Sequence, residues 1–136
     1  MFTERQITSL HALIDRIIPA DDFPGGWDAG VGDYLFRQLQ ADLQLSLPMY
    51  RAGLDDLDAE AHAGAGVGFA ELDFAAQDQL LQQIEQGVVQ HTWHVEPVGF
   101  FRAVVAHAME GFYSDPANGG NRDGIAWQMI GFEVRG

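Results

Sequence analysis

PVGFFRAVVAHAMEGFY, residues 97–113, is the stretch on which the fold turns. Its apolar side chains, Phe100, Phe101, Val104, Val105, Ala108 and Phe112, recur at steps of three and four. That spacing is helical, and the apolar arc is too wide for a helix with one dry face. A helix of this kind is expected at the centre of a core, with the rest of the chain packed around it. Pro97 suits its first turn, where the missing N–H costs nothing.

Working back from Pro97, VVQHTWHVE (88–96) reads as a loop or a short extended link. Before it, FAELDFAAQDQLLQQIEQG (69–87) reads as a turn and then a helix: Asp73 is the N-cap, Leu80, Leu81 and Ile84 form the apolar face, and Gly87 is the stop. Gly64, Gly66 and Gly68 mark a break. A helix is expected from about Met49 to His62, with Tyr50, Leu54 and Leu57 on one face and its acids in water. Pro48 marks a join, and a helix from Trp27 or Asp28 to Leu43 places Val31, Leu35, Leu39 and Leu43 in phase. ADDFPGGWDAG (20–30) is a turn-rich loop. The first helix spans Thr3 to Ile18, capped by Thr3 and ended by Pro19, with Ile7, Leu10, Ile14 and Ile17 or Ile18 on one face. Beyond Tyr113, SDPANGGNRDG is a polar loop dense in turn formers, and IAWQMIGFEV closes the chain. Alternation of strand type is nearly absent and no repeat is visible. The expected fold is all-α: one domain over residues 1–136, of five or six helices with long loops rich in Gly, Pro and Asp.

Composition narrows function. The chain has 47% hydrophobic residues and 136 positions, enough for one real core. The net charge is -13, and all seven basic residues are Arg. Nucleic acid and anionic membrane surfaces would be repelled by such a chain. With no Cys, disulfides, thiolate catalysis and iron–sulfur ligation are excluded. The N-terminal stretch lacks the basic-then-apolar pattern of a signal peptide, and no run of about 18 apolar residues spans a membrane.

Candidate chemistry is sparse. His91 and His94 stand three apart with Glu96 nearby, a spacing that serves one metal on a helix, but the stretch is poorly helical and no further ligand is evident. His107 and Glu110 form a single H-x-x-E pair, whereas a di-iron bundle needs two of the E-x-x-H type; His107 is expected as a hydrogen-bonded core residue. Asp115, Asn118, Asn121 and Asp123 supply calcium-type oxygens on one loop without EF-hand spacing; a self-structured turn is the expected reading. Ser9, Ser46 and Ser114 lack a nucleophile-elbow setting, and Asp21 and Asp22 are adjacent acids expected to stay solvated. Two alternatives to a plain binding role remain: a metal-dependent helical enzyme using His107, Glu110, His91 and His94, and a calcium-stabilised module on the Asp115–Asp123 loop. Aromatics cluster beside the polar loops, namely Trp27, Phe112, Tyr113, Trp127 and Phe132, with Met129 among them. Singly each suits a core; together they suit a partner surface.

Three stretches, Asp15–Leu35 (DRIIPADDFPGGWDAGVGDYL), Phe69–Gly87 and Phe100–Phe132 (FFRAVVAHAMEGFYSDPANGGNRDGIAWQMIGF), together resemble the gluconate 2-dehydrogenase subunit 3 family. The resemblance covers nearly the whole chain in order. It implies a small, non-catalytic subunit with no cofactor of its own. Its partner would be a large FAD-carrying dehydrogenase of the glucose–methanol–choline class, which oxidises sugar hydroxyls. The small subunit would bind and stabilise that flavoprotein. Contacts are expected at Asp21, Asp22, Phe23 and Trp27, and at Tyr113, Asp115, Asn121, Arg122, Asp123, Trp127, Met129 and Phe132. Arg122 would form a bidentate pair with a carboxylate. Exported relatives carry a twin-arginine leader; here the family-like region starts almost at Met1, so a cytoplasmic location is expected, with export the alternative if a leader was removed.

Overall fold

A computed structural model describes residues 1–114. Within them the chain forms five α-helices: α1 (Glu4–Ile17), α2 (Val31–Gln38), α3 (Leu47–Ala65), α4 (Phe74–Glu85) and α5 (Pro97–Phe112). Short 3-10 turns at Gln44–Ser46 and Phe69–Glu71 precede α3 and α4, and no strand occurs among the described residues. Helix α5 touches all four others, the central place that its wide apolar arc demands. Phe100, Val104, Ala108 and Phe112 are buried there against Leu10, Leu13 and Ile14 of α1, Leu35 of α2, Tyr50, Leu54 and Leu57 of α3, and Ile84 of α4. Burying each large side chain contributes about 1.5–3 kcal/mol before entropy is counted. Close approach is bought with glycine: Gly53 lies under the Phe100 ring, and Gly111 against the Tyr34 ring, with no room for a Cβ at either.

The ends of the helices follow local chemistry. The Thr3 hydroxyl accepts the Gln6 N–H at 3.1 Å while Gln6 Oε1 accepts the Thr3 N–H at 2.9 Å, a complete capping box. Asp73 caps α4 by accepting the Ala76 N–H at 2.8 Å. Gly66 and Gly87 end α3 and α4 with φ of 77° and 78°, left-handed values that only glycine adopts without strain.

Three expectations need correction. Ile7 is exposed, because the buried stripe of α1 runs through Gln6, Leu10, Leu13 and Ile14. Helix α2 begins at Val31 rather than at Trp27 or Asp28, because Gly30 takes φ of 99°, which no helix can pass through; it also stops at Gln38, short of Leu43. The acids of α3 do not all face water: Asp56 is 1% exposed and Glu60 3%.

Candidate functional site

The two stretches expected to meet a partner are built differently. In the first, residues 18–30 fold back on α1. The Gly26 N–H donates to the Ile18 carbonyl at 2.8 Å, and the Trp27 N–H to Asp15 Oδ1 at 3.1 Å. A Cβ on Gly26 would stand 2.9 Å from Ile14 Cγ2. These glycines serve close approach inside the molecule. Trp27 is half-buried, stacked on His11 with centroids 4.6 Å apart and edge-on to Phe36 at 5.9 Å. Asp21 and Asp22 stand exposed, with Phe23 half-buried beside them; Asp21 Oδ1 accepts the Phe23 N–H at 3.0 Å, which fixes the turn.

Of the second stretch, only Tyr113 lies within the described residues. It is 45% exposed at the end of α5, edge-on to Phe112 at 5.1 Å. Tyr34, in the first turn of α2, packs against Gly111, two residues before Tyr113. Asp115, Asn121, Arg122, Asp123, Trp127, Met129 and Phe132 lie outside the described residues, as does the whole Asp115–Asp123 calcium alternative. Alongside the first stretch, Ile17, Phe101, Val105 and Met109 line an apolar groove of about 430 Å³, flanked by Glu85 and Arg102. A neighbouring hollow of about 280 Å³ continues it to Pro19, two residues before Asp21.

A second constellation lies along α3, whose acids act as anchors. Glu60 Oε2 accepts the Gln90 N–H at 2.7 Å, and its Oε1 accepts the His91 N–H at 3.0 Å and the Trp93 indole N–H at 2.9 Å. Asp56 Oδ2 accepts the N–H groups of His94 at 2.7 Å and Val95 at 3.3 Å. Its Oδ1 meets His94 Nδ1 at 2.7 Å and has His91 Nε2 at 3.8 Å. Asp58 accepts the Phe69 N–H at 3.1 Å and pairs with Arg5 at 2.5 Å, anchoring the α3–α4 link. A carboxylate accepts without donating, so backbone N–H groups suit it, and full pairing is what makes such burial tolerable. The hydrogen bond to Asp56, and then its charge, raises the His94 pKa above the ordinary histidine value.

The histidine pair is thus brought to a ligand-type side chain that the sequence reading lacked: Asp56, 35 and 38 positions away. One signal was available. Asp56 and Glu60 are four apart and flank the buried Gly53–Leu57–Ala61 line of α3, a position where an acid needs a partner. Glu96 is used elsewhere: it caps α5, accepting the N–H groups of Val98 and Gly99. His107 is half-buried, its Nδ1 sharing a 2.7 Å hydrogen bond with the Tyr50 hydroxyl, while Glu110 is exposed. Burial, reinforced by the Glu110 charge, pushes the Tyr50 phenol well above its usual range and keeps it protonated. No described helix is long and apolar enough to cross a membrane.

Compared with known proteins, residues 4–134 match the family model of gluconate 2-dehydrogenase subunit 3. The match spans nearly the whole chain, and the chain belongs to that family. The family name marks its members as a subunit of a multi-subunit dehydrogenase. Comparison with curated proteins and with solved structures gave no match.

Proposed function

We propose that this family member is the non-catalytic small subunit of an FAD-dependent dehydrogenase of the glucose–methanol–choline class, and that it binds and stabilises the large flavoprotein. The partner carries the flavin and oxidises a CH–OH group of a sugar, sugar acid or glycoside. One observation carries the reading: the family match runs from residue 4 to residue 134, so what is shared is the whole body of the chain and not a local motif. Stabilisation works by mass action. A subunit that binds only the folded partner adds about 2.7 kcal/mol when present at 100 times its Kd.

The surface offers a means. Asp21 and Asp22 present two carboxylates on a turn fixed by its own hydrogen bonds. The apolar groove of Ile17, Phe101, Val105 and Met109 is flanked by Glu85 and Arg102, and the hollow beside it reaches Pro19, two residues before Asp21. An apolar centre rimmed by charge is the composition of a specific interface, with the groove supplying affinity and the acids supplying orientation. The large subunit would present an apolar ridge flanked by Arg or Lys. Tyr113, Arg122, Trp127, Met129 and Phe132 would extend the contact from the chain's other end.

The test is co-expression with an FAD-dependent dehydrogenase encoded beside this chain. The flavoprotein should co-purify with it, and should be soluble and flavin-loaded only in its presence. Met109→Glu should weaken the complex at least tenfold. A flavoprotein that is fully loaded and active alone, or sugar oxidation by this chain in isolation, would overturn the proposal.

A further inference from the structure

We propose that Asp56, His91 and His94 form a site for one divalent transition-metal ion of the zinc type, which ties the 88–96 link to α3. Each residue offers one ligand atom, and the three atoms lie within 4.8 Å of one another. Two ligands on one tetrahedral zinc ion stand about 3.4 Å apart, since each bond is about 2.0–2.2 Å long. Side-chain shifts of about 1 Å or less therefore bring all three onto one ion.

The site is prebuilt by the anchors beneath it. Asp56 divides its oxygens: Oδ2 is taken by two backbone N–H groups, and Oδ1 is left to the two imidazoles. The His91 N–H is fixed by Glu60 and the His94 N–H by Asp56, so the backbone under both rings is held by buried carboxylates. Such second contacts orient ligands and raise affinity. His94 is 76% exposed on its side chain and His91 34%, so an ion reaches the site directly from water.

Two imidazoles and one carboxylate select a borderline ion such as Zn²⁺ or Co²⁺ over Ca²⁺ or Mg²⁺, which prefer all-oxygen sets. The ion replaces the proton shared between His94 Nδ1 and Asp56 Oδ1. A neutral ring moves that proton to Nε2; a charged ring releases one proton to water. Water completes the coordination. The two positive charges of the ion meet Asp56 and the further acids of α3 in a chain of net charge -13.

The full-length chain, stripped with a chelator, is titrated with Zn²⁺ by calorimetry and with Co²⁺ by visible absorption. One equivalent should bind, and Co²⁺ should give ligand-field bands of nitrogen–oxygen ligation. His91→Ala and His94→Ala should each weaken Zn²⁺ binding at least about tenfold, since removing even an outer partner of a metal ligand costs about that much. Both variants keep the backbone N–H groups that the anchors hold, so far-UV circular dichroism should be unchanged. If either variant fails to fold, His91→Gln and His94→Gln replace them. Ca²⁺ in excess should not displace Zn²⁺. Absence of uptake at micromolar Zn²⁺, displacement by Ca²⁺, or wild-type affinity in the His91→Ala/His94→Ala double variant would overturn the proposal.

Discussion

Two irregular segments are fastened to helices in opposite ways. Residues 18–30 lie on α1 through their own backbone: Gly25 and Gly26 let main chain approach the helix, the Trp27 N–H donates to Asp15 of α1, and the Gly26 N–H closes the segment on the Ile18 carbonyl at the helix's C-cap. Residues 88–96 contain no glycine. Their backbone is met instead by long acceptors from α3, with Glu60 taking the Gln90 N–H and Asp56 the His94 N–H. A loop of small residues is shaped by proximity; a loop of bulky ones needs long acceptors from its neighbour. The second solution places charge in the interior, and it holds only while every acceptor is filled.

The heaviest blow to this contrast is Glu60→Ala. It strips partners from the Gln90, His91 and Trp93 N–H groups at once. A fully buried orphaned donor costs about 1–3 kcal/mol, and these three are only partly buried, with Gln90 open to water, so a loss of about 3 kcal/mol is expected in urea unfolding. Glu60→Gln keeps one acceptor oxygen and should lose about half as much. A loss under 1 kcal/mol for Glu60→Ala would mean that the 88–96 link is held by its side chains instead.

Next comes Gly26→Ala, which tests the other fastening. The added methyl meets Ile14 and Ile18 on a face of α1 that is already packed. Overpacking of this sort costs about 1–3 kcal/mol, and about 2 is expected. Gly30→Ala should cost about 1 kcal/mol through its left-handed φ of 99° alone. Proteolysis should then cut within 18–30 faster in Gly26→Ala, with 88–96 unaffected. Equal loosening of both segments would show that they are one cooperative unit.

Legibility in the sequence followed the same division. Helix positions came from apolar spacing, and Thr3, Asp73 and Gly87 marked ends because capping chemistry is local. The loop after α1 was legible as far as Gly26 for the same reason, since its turn formers lie within it; its end was not, because the left-handed turn at Gly30 that delays α2 to Val31 has no signal beyond a glycine. Asp56 and Glu60 were not, because their partners are backbone N–H groups some thirty to forty positions away, and backbone has no letter in a sequence. The helical pattern LDDLDAEA therefore read as a solvated face. The same gap hid the third member of the histidine cluster. Ile7 failed more simply: two overlapping apolar stripes fit α1, and packing against α3 chose the one through Gln6 and Leu13, with Gln6 Nε2 donating to Asp55 at 3.1 Å.

The smallest expected effect separates charge from hydrogen-bond filling. Asp78 on α4 also binds across helices, with Arg16 Nε at 2.9 Å and Nη2 at 3.1 Å, but its side chain is 46% exposed, and among the described residues no backbone N–H donates to it. The Arg16 hydrogen bond, opposed by partial burial, holds the Asp78 carboxyl below its usual value. A carboxyl depressed in the folded state stabilises fully above its unfolded pKa, and that contribution fades as pH falls through the folded value. The wild type and Asp78→Asn should therefore differ at pH 7 and converge at acid pH, as pH falls below the unfolded value near 3.9 and then through the depressed folded one. Because solvent screens the pair, the difference at pH 7 should be no more than about 0.5 kcal/mol, and salt should shrink it further. Urea unfolding at both pH values measures it. If Asp78→Asn costs as much as Glu60→Ala, Coulomb attraction is what fastens this fold, and the contrast between the two loops loses its physical basis. If it costs a small fraction, the buried carboxylates matter for the N–H groups they fill.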